Sequence, residues 1–338
     1  FMFDNIPERF ASETADTEEE AQLWLEGDRE ARRPPELLTR DVVVRAIMRE
    51  VKAGRGSEHG GAYLNISHRD SDFVKRKLPS MYHQFKELAE VDITAEAMEV
   101  GPTLHYYMGG IRVDGQSQMT NVPGLFAAGE CSAGLHGANR LGGNSLSDLI
   151  VFGARAGLGA KAYLDSLSGA RPAVQQEQVH EQMRGVIDFL NREDGENPYV
   201  VVDDLQTAME QHVGIVRDGS ELEEGIEKLA VLKERAAKVK AHATSQYNPG
   251  WNTCIDLRNM LLSAEATARC ALQREESRGA HTRLDFEGER EEGLTFNSVV
   301  RLNPDGQIEA RKEPRPEPPA ELAAIANSTL EDLEGHRA

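Results

Sequence analysis

Along this chain the apolar residues follow a helical period, break into short runs, and then return to a helical period. In RDVVVRAIMREVKAG, Val43, Ile47 and Val51 recur at spacings of four, which predicts a helix stopped at Gly54. The segment before it, ETADTEEEAQLWLEGDRE, reads as an acidic helix with a solvated face. GGAYLNISH reads as a short strand, and the stretch after SDFVKRKLP, FKELAE included, as a further helix, with Tyr63, Tyr82 and Phe85 as core. HYYMGGIRVDG reads as a strand that ends in an Asp-Gly turn, and NVPGLFAAGE as a second short apolar strand entered through Pro-Gly. A helix is predicted from about Asn144 to Leu164, started by a capping box of Ser145 and Asp148. From Arg171 to Gly279 the period is helical again. Val179, Met183, Ile187 and Leu190 form one stripe, Leu222, Ile226 and Leu229 another, and Leu257, Leu261, Ala264 and Ala268 a third. With a second capping box at Ser220 and Glu223, this predicts a three- or four-helix bundle. LTFNSVVRL is β-prone, and the Pro-rich EPRPEPPAEL is expected to be extended or mobile.

At 338 residues, the chain exceeds one ordinary core, so two or more domains are expected. A net charge of -19 excludes a general nucleic-acid surface and requires any anionic ligand to sit in a local cationic pocket. No apolar run approaches a membrane span. Cys131, Cys254 and Cys270 have no metal-type spacing and fit a reducing compartment. His59, His68, Asp70 and Asp72 match no common metal site, so no metal is expected there, and Cys131 reads as a small packing residue. FMFDNIPERF lacks an initiator methionine and a signal-peptide layout, so residue 1 reads as a cut.

The candidate chemistry gathers around HGANRLGGNSLSDLIVFG. Gly142 and Gly143 let a ligand approach the backbone, and the following helix start offers unpaired N–H groups. Arg140 adds a planar fork suited to a carboxylate. Glu130, after the small residues of GLFAAGE, is placed to accept from a sugar hydroxyl, with a plain surface glutamate as the alternative. His105 precedes a glycine pair of its own, which ties it to the same site, although a structural histidine stays open. Arg40 falls in the first turn of its predicted helix, where a cation costs about 0.3–1 kcal/mol. Either it forms a local ion pair with Asp41, or it is aimed at an anion.

HYYMGGI, GLFAAGE, HGANRLGGNSLSDLIVFG, RDVVVRAI and the ESRGAH stretch (Arg274 to His281) together resemble the flavoprotein subunit of succinate dehydrogenase and fumarate reductase. The resemblance runs in order to about residue 300. It implies an α/β chain in four pieces: an α+β capping domain at 1–102, the C-terminal part of a Rossmann-like FAD domain at 103–168, a helical bundle domain at 169–285, and a small C-terminal region at 286–338. It also implies site roles. His105 and Arg140 would hold a substrate carboxylate, Arg40 would be catalytic in proton transfer, and Glu130, Ser145 and Leu146 would contact FAD.

The implied activity is an FAD-dependent interconversion of succinate and fumarate of class EC 1.3.5.-, part of the tricarboxylic acid cycle and electron transport. Electrons would pass to an iron-sulfur subunit, then to a quinone. Membrane anchor subunits would hold the complex on the cytoplasmic side of the cell membrane, with this chain peripheral. No GxGxxG occurs, so the family's first βαβ unit is expected upstream of residue 1, and the 338 residues alone are expected neither to retain FAD tightly nor to turn over. The alternatives are an L-aspartate oxidase-type flavoenzyme and a non-catalytic truncated docking fragment.

Overall fold

A computed structural model describes residues 6–169 and 173–328. The opening FMFDN, Arg171 and the end of the C-terminal region fall outside that range. The chain forms two compact units, Phe1–Pro172 and Ala173–Ala338.

In the first unit, α1 (Glu18–Glu26) is capped by Thr17, whose hydroxyl accepts from Glu20 N. A bidentate Arg32–Glu20 pair, with Nη2 to Oε2 at 2.7 Å, ties the chain back onto it. Next come α2 (Arg40–Lys52), β1 (Ala62–Leu64), α3 (Ser71–Lys77), α4 (Pro79–Leu88) and β2 (Met98–Val100). Strands β1 and β2 pair antiparallel, with Tyr63 opposite Glu99. Ile93, Met98 and Val74 form a small core that Tyr82 and Phe85 cover. Tyr63 departs from its expected core place and is 65% exposed. It sits mid-strand on a sheet of only two strands, and Val74, Ile93 and Met98 take the buried side instead.

Residues 101–143 are largely irregular, and the two strands expected there do not form as ladders. HYYMGGIRVDG stays extended and meets GLFAAGECS through the parallel Ile111–Ser132 bridge, with Ile111 N donating to Cys131 O at 2.8 Å. NVPGLFAAGE contributes the antiparallel Met119–Phe126 bridge before turning into a short 3-10 turn at Gly129–Cys131. A strand needs a hydrogen-bonded neighbour along its length, and among the described residues these segments have one at isolated positions only. Helix α5 (Asn144–Ser166) packs on this region, with Phe126 edge-on to Tyr163 at 6.3 Å.

The second unit holds α6 (Gln176–Asn191), α7 (Pro198–Val213), β3 (Val216–Arg217), α8 (Gly219–Ala236), α9 (Pro249–Gln273), β4 (Thr282–Arg283), β5 (Phe296–Leu302), β6 (Ile308–Pro314) and α10 (Ala320–Ala326). Val201, Leu205, Leu222, Leu229, Leu257 and Leu261 interlock as one core of α7, α8 and α9, as the stripes of α8 and α9 predict. The α6 stripe does not pack throughout. Leu190 reaches the core, whereas Met183 and Ile187 are exposed. The cap of α8 is Asp218 rather than Ser220, because the carboxylate accepts from both Ser220 N and Ser220 Oγ. The β-prone LTFNSVVRL becomes β5, and β6 pairs with it antiparallel where the sequence carries no β signal. Part of the Pro-rich segment is α10, entered from Pro319.

Mixed helix and strand content agrees with the expected α/β class. Among the described residues, the strands form three two-stranded sheets.

Candidate functional site

The site lies where residues 105–110 run past 129–146, all within the first unit. Gly110 makes that approach possible. A Cβ built on it would stand 2.3 Å from Cys131 O, so any side chain would push the two segments apart. Glu130 is in the 3-10 turn rather than at a strand end, and its Oε1 accepts from Tyr107 N at 2.9 Å. Cys131 is exposed, contrary to its expected packing role, because the turn faces it outward.

Arg140 and His105 come together. Arg140 Nη2 lies 3.2 Å from His105 Nε2, and Nη1 donates to Leu141 O at 3.1 Å. A guanidinium nitrogen only donates, so His105 Nε2 is the acceptor and the ring proton sits on Nδ1. Arg140 N is held by Met108 Sδ at 2.8 Å. Its Nε is buried with no hydrogen-bond partner, and among the described residues no carboxylate pairs with Arg140.

Helix α5 opens directly after this pair. Its N-cap is Gly143 at φ 83°, a left-handed conformation that glycine adopts without strain, and no side chain caps the helix. The expected Ser145–Asp148 capping box is not made. Asp148 turns inward instead and is 4% exposed, because it has partners beneath the loop. Its Oδ2 accepts from Tyr106 Oη at 3.3 Å and lies 3.3 Å from His136 Nε2, while Tyr106 Oη lies 3.0 Å from that same nitrogen. Asp148 Oδ1 is buried without a partner. Burial, and then the neighbouring Asp148 charge, raise the Tyr106 hydroxyl above the usual phenol range. The guanidinium of Arg140 stacks 4.5 Å above the Tyr106 ring.

The sequence singles out Asp148 only as a capping residue, and it does not single out Tyr106 or His136. The available signal was an acidic residue on an otherwise apolar helix, with Tyr and His in the two glycine-rich motifs before it.

A flavin fits what this region offers. No side chain caps α5, although Asn144 N donates to Leu141 O at 3.2 Å, a Cβ on Gly142 or Gly143 would meet nothing within 4 Å, Leu146 is 68% exposed and Glu130 is exposed. Beyond Leu146, Leu149 and Ile150 extend an apolar outer face on α5.

Arg40 is where the sequence predicts it, at the first position of α2, and it is exposed. Asp41 does not pair with it. That carboxylate takes Arg45 Nη2 at 2.7 Å, and its pKa lies below the ordinary value: burial alone would raise it, and hydrogen bonds from Thr39 and Arg45 outweigh burial. Among the described residues, no hydrogen bond or ion pair joins Arg40 to His105 or Arg140. No group of side chains suited to a metal ion occurs among the described residues, and His59 pairs with Glu99 at 2.8 Å.

Residues 7–146 match the model of an FAD binding domain, and residues 202–316 match the model of the fumarate reductase flavoprotein C-terminal region. The fumarate reductase (CoM/CoB) chain of Methanothermobacter marburgensis is 43% identical over 76% of this chain and 46% of its own length. The fumarate reductase flavoprotein subunit of Escherichia coli is 39% identical over 74% of this chain and 42% of its own. Among solved structures, Sdh1 of Mycobacterium smegmatis in complex with UQ1 superimposes with a TM-score of 0.79 at 49% identity, over 89% of this chain and 51% of that one. The chain thus spans about half the length of the relatives it matches. No helix among the described residues is long and apolar enough to cross a membrane. The two model matches, in order and on the segments that carry the glycine loop and the helical unit, make this a flavoprotein with FAD as its cofactor, and the chain belongs to the succinate dehydrogenase and fumarate reductase flavoprotein family.

Proposed function

We propose that this chain supplies the carboxylate-binding side of a flavoenzyme that interconverts succinate and fumarate. The observation that carries the reading is the Arg140–His105 pair, held at 3.2 Å beside an uncapped helix start, with a buried guanidinium N–H lacking an acceptor. A dicarboxylate supplies that acceptor. Charge shifts toward a substrate carboxylate as a hydride arrives at or leaves the carbon chain, and fixed donors at that carboxylate stabilise the shift. FAD, when bound, is the group that gives or takes the hydride. Glu130, Ser145 and Leu146 are the residues that would hold it: the carboxylate on the sugar-like chain, the other two along the ring at the head of α5. Arg40 serves in proton transfer at the adjacent carbon. An always-charged guanidinium can do this only transiently, when fed by a relay.

In this reading, electrons leave through an iron-sulfur subunit toward a quinone. The chain is then a peripheral component on the cytoplasmic side of the membrane, held by anchor subunits.

The test is Arg140→Ala in the flavin-loaded holoenzyme. Loss of a charge-assisted pair is worth about 1.5–3 kcal/mol, so kcat/KM for fumarate falls roughly 10- to 150-fold while flavin absorbance is retained. Unchanged kinetics, or oxidation of L-aspartate without any succinate or fumarate turnover, would refute the proposal.

A further inference from the structure

We infer that Tyr106 is a positioning residue for Arg140, locked in place by His136 and Asp148. The inference rests on the reading of Arg140 as a carboxylate ligand and adds a residue to it.

An arginine on a glycine-rich loop has four side-chain torsions and little to hold it. The two contacts Arg140 makes through its Nη atoms lie in or near the guanidinium plane, to Leu141 O and His105 Nε2. They do not prevent the plane from tilting. The Tyr106 ring, 4.5 Å beneath the guanidinium carbon, is the contact that does. A cation over an aromatic face is attracted by the ring quadrupole, and the attraction fixes the distance of the charge from the ring while leaving its in-plane donors open to an anion.

A tyrosine ring on a loop would itself swing unless anchored at its far end. That anchor is present. Tyr106 Oη donates to Asp148 Oδ2 at 3.3 Å and lies 3.0 Å from His136 Nε2, and the His136 ring meets the Tyr106 ring edge-on at 5.4 Å. Both anchoring side chains are nearly inaccessible, His136 at 10% and Asp148 at 3%. Three glycine-loop or helix-start segments are thereby joined at one point: residues 105–108, 136–140 and 148.

The geometry also explains a placement that is costly by itself. Asp148 is a buried carboxylate with one oxygen unpartnered, on a helix whose other faces carry leucine, isoleucine and valine. Nothing about helix stability asks for it. Its return is a fixed hydroxyl, and through that hydroxyl a fixed ring under the cation.

The test measures binding of malonate to the flavin-loaded holoenzyme by calorimetry. Malonate carries two carboxylates on a single carbon, so it has no carbon–carbon bond to desaturate and binding is read without turnover. Tyr106→Leu removes the stack, and malonate affinity falls about tenfold, within the roughly 3- to 30-fold range of a partly desolvated cation–π contact. Tyr106→Phe keeps the ring and loses its anchor, and the loss is about threefold. Both effects vanish in an Arg140→Ala background, because positioning has no object once the guanidinium is gone.

Thermal unfolding of each variant shows whether it is folded, and if Tyr106→Leu does not fold, the Tyr106→Phe cycle carries the test. Affinity within twofold of the parent in Tyr106→Leu, or a Tyr106 effect that persists undiminished without Arg140, overturns the inference and leaves the carboxylate reading standing. An Arg140→Ala variant that binds malonate as well as the parent overturns both.

Discussion

Glu276, in the ESRGAH stretch, gives the most tightly determined consequence of the fold. Its carboxylate is 2% exposed, yet it is surrounded by donors. Arg274 Nη1 reaches Oε1 at 2.5 Å, Arg278 Nη2 reaches Oε2 at 3.0 Å, and Arg290 N donates to Oε2 at 3.0 Å. Burial alone would raise its pKa. The Arg278 fork, the Arg290 amide and the Arg274 guanidinium outweigh burial and hold the carboxyl at about 2 instead of 4.5. A shift of that size corresponds to about 3 kcal/mol of folding stability.

Because the folded pKa is depressed, this stability is fully present above about pH 4.5 and is lost as pH falls toward about 2. Glu276→Gln preserves the shape but turns an NH2 group toward donors and leaves two guanidinium groups short of charge. The expected loss at pH 7 is about 3 kcal/mol, in line with breaking a buried pair. Urea unfolding reads it directly. In a Trp24→Phe background, Trp251 is the one tryptophan remaining of the chain's two, and its indole N–H is bonded to Val186 O in the second unit. With a slope of about 2 kcal/mol per molar, the midpoint drops by about 1.5 M. The gap between parent and variant is widest above pH 5 and closes as pH falls toward 2. A variant within 1 kcal/mol of the parent at pH 7, or a gap that ignores pH, would show that the three donors do not act as described.

His281 should titrate far below an ordinary histidine. Burial, and then the Arg217, Arg283 and Arg274 charges, bring it to about 4 against the opposing bond to Arg274 O, so its stabilisation is lost as pH falls from about 6.5 through 4; an NMR midpoint near 6.5 contradicts this. Gly110→Ala places a methyl 2.3 Å from Cys131 O and should cost the first unit about 1–3 kcal/mol by Trp24-monitored unfolding, whereas a loss below about 0.5 kcal/mol would mean the segments part easily. Arg40→Ala in the holoenzyme should nearly abolish succinate–fumarate turnover with flavin still bound, and near-normal rates would remove Arg40 from the chemistry.

What the sequence made legible followed from periodicity and what it hid depended on partners. The α8 and α9 stripes packed as read, because helices bury one face whichever neighbour arrives. Met183 and Ile187 on α6 carry the same spacing and remain exposed, since spacing says that a face is apolar and not what covers it. HYYMGG and GLFAAGE read as strands from their residues, but a ladder depends on neighbours that a local window does not contain. Asp148 shows the same limit at the site. Its position three after Ser145 has the form of a cap, and only the approach of Tyr106 and His136 from distant segments reveals why it faces inward.

The charge balance sharpens the reading of Arg140. With 57 acidic and 38 basic residues, this chain has carboxylates to spare, and its well-ordered arginines take them: Arg32 with Glu20, Arg45 with Asp41, Arg278 with Glu276, Arg283 with Asp285. Arg140 is half-buried, stacked and hydrogen-bonded, and still it is matched to a neutral imidazole and a peptide carbonyl. Glu130 is near enough to act on Tyr106 electrostatically, yet its Oε1 is engaged with Tyr107 N. A fixed cation denied an internal counter-ion, in a body of excess negative charge, has most to gain from an anion that arrives from outside. Diffuse acidity repels such an anion at long range, but screening over about 10 Å weakens that repulsion, and the short-range donors then decide which anion stays. The proposed preference for a compact diacid thus rests on two features: a cation kept unpaired, and a helix start without a side-chain cap beside it.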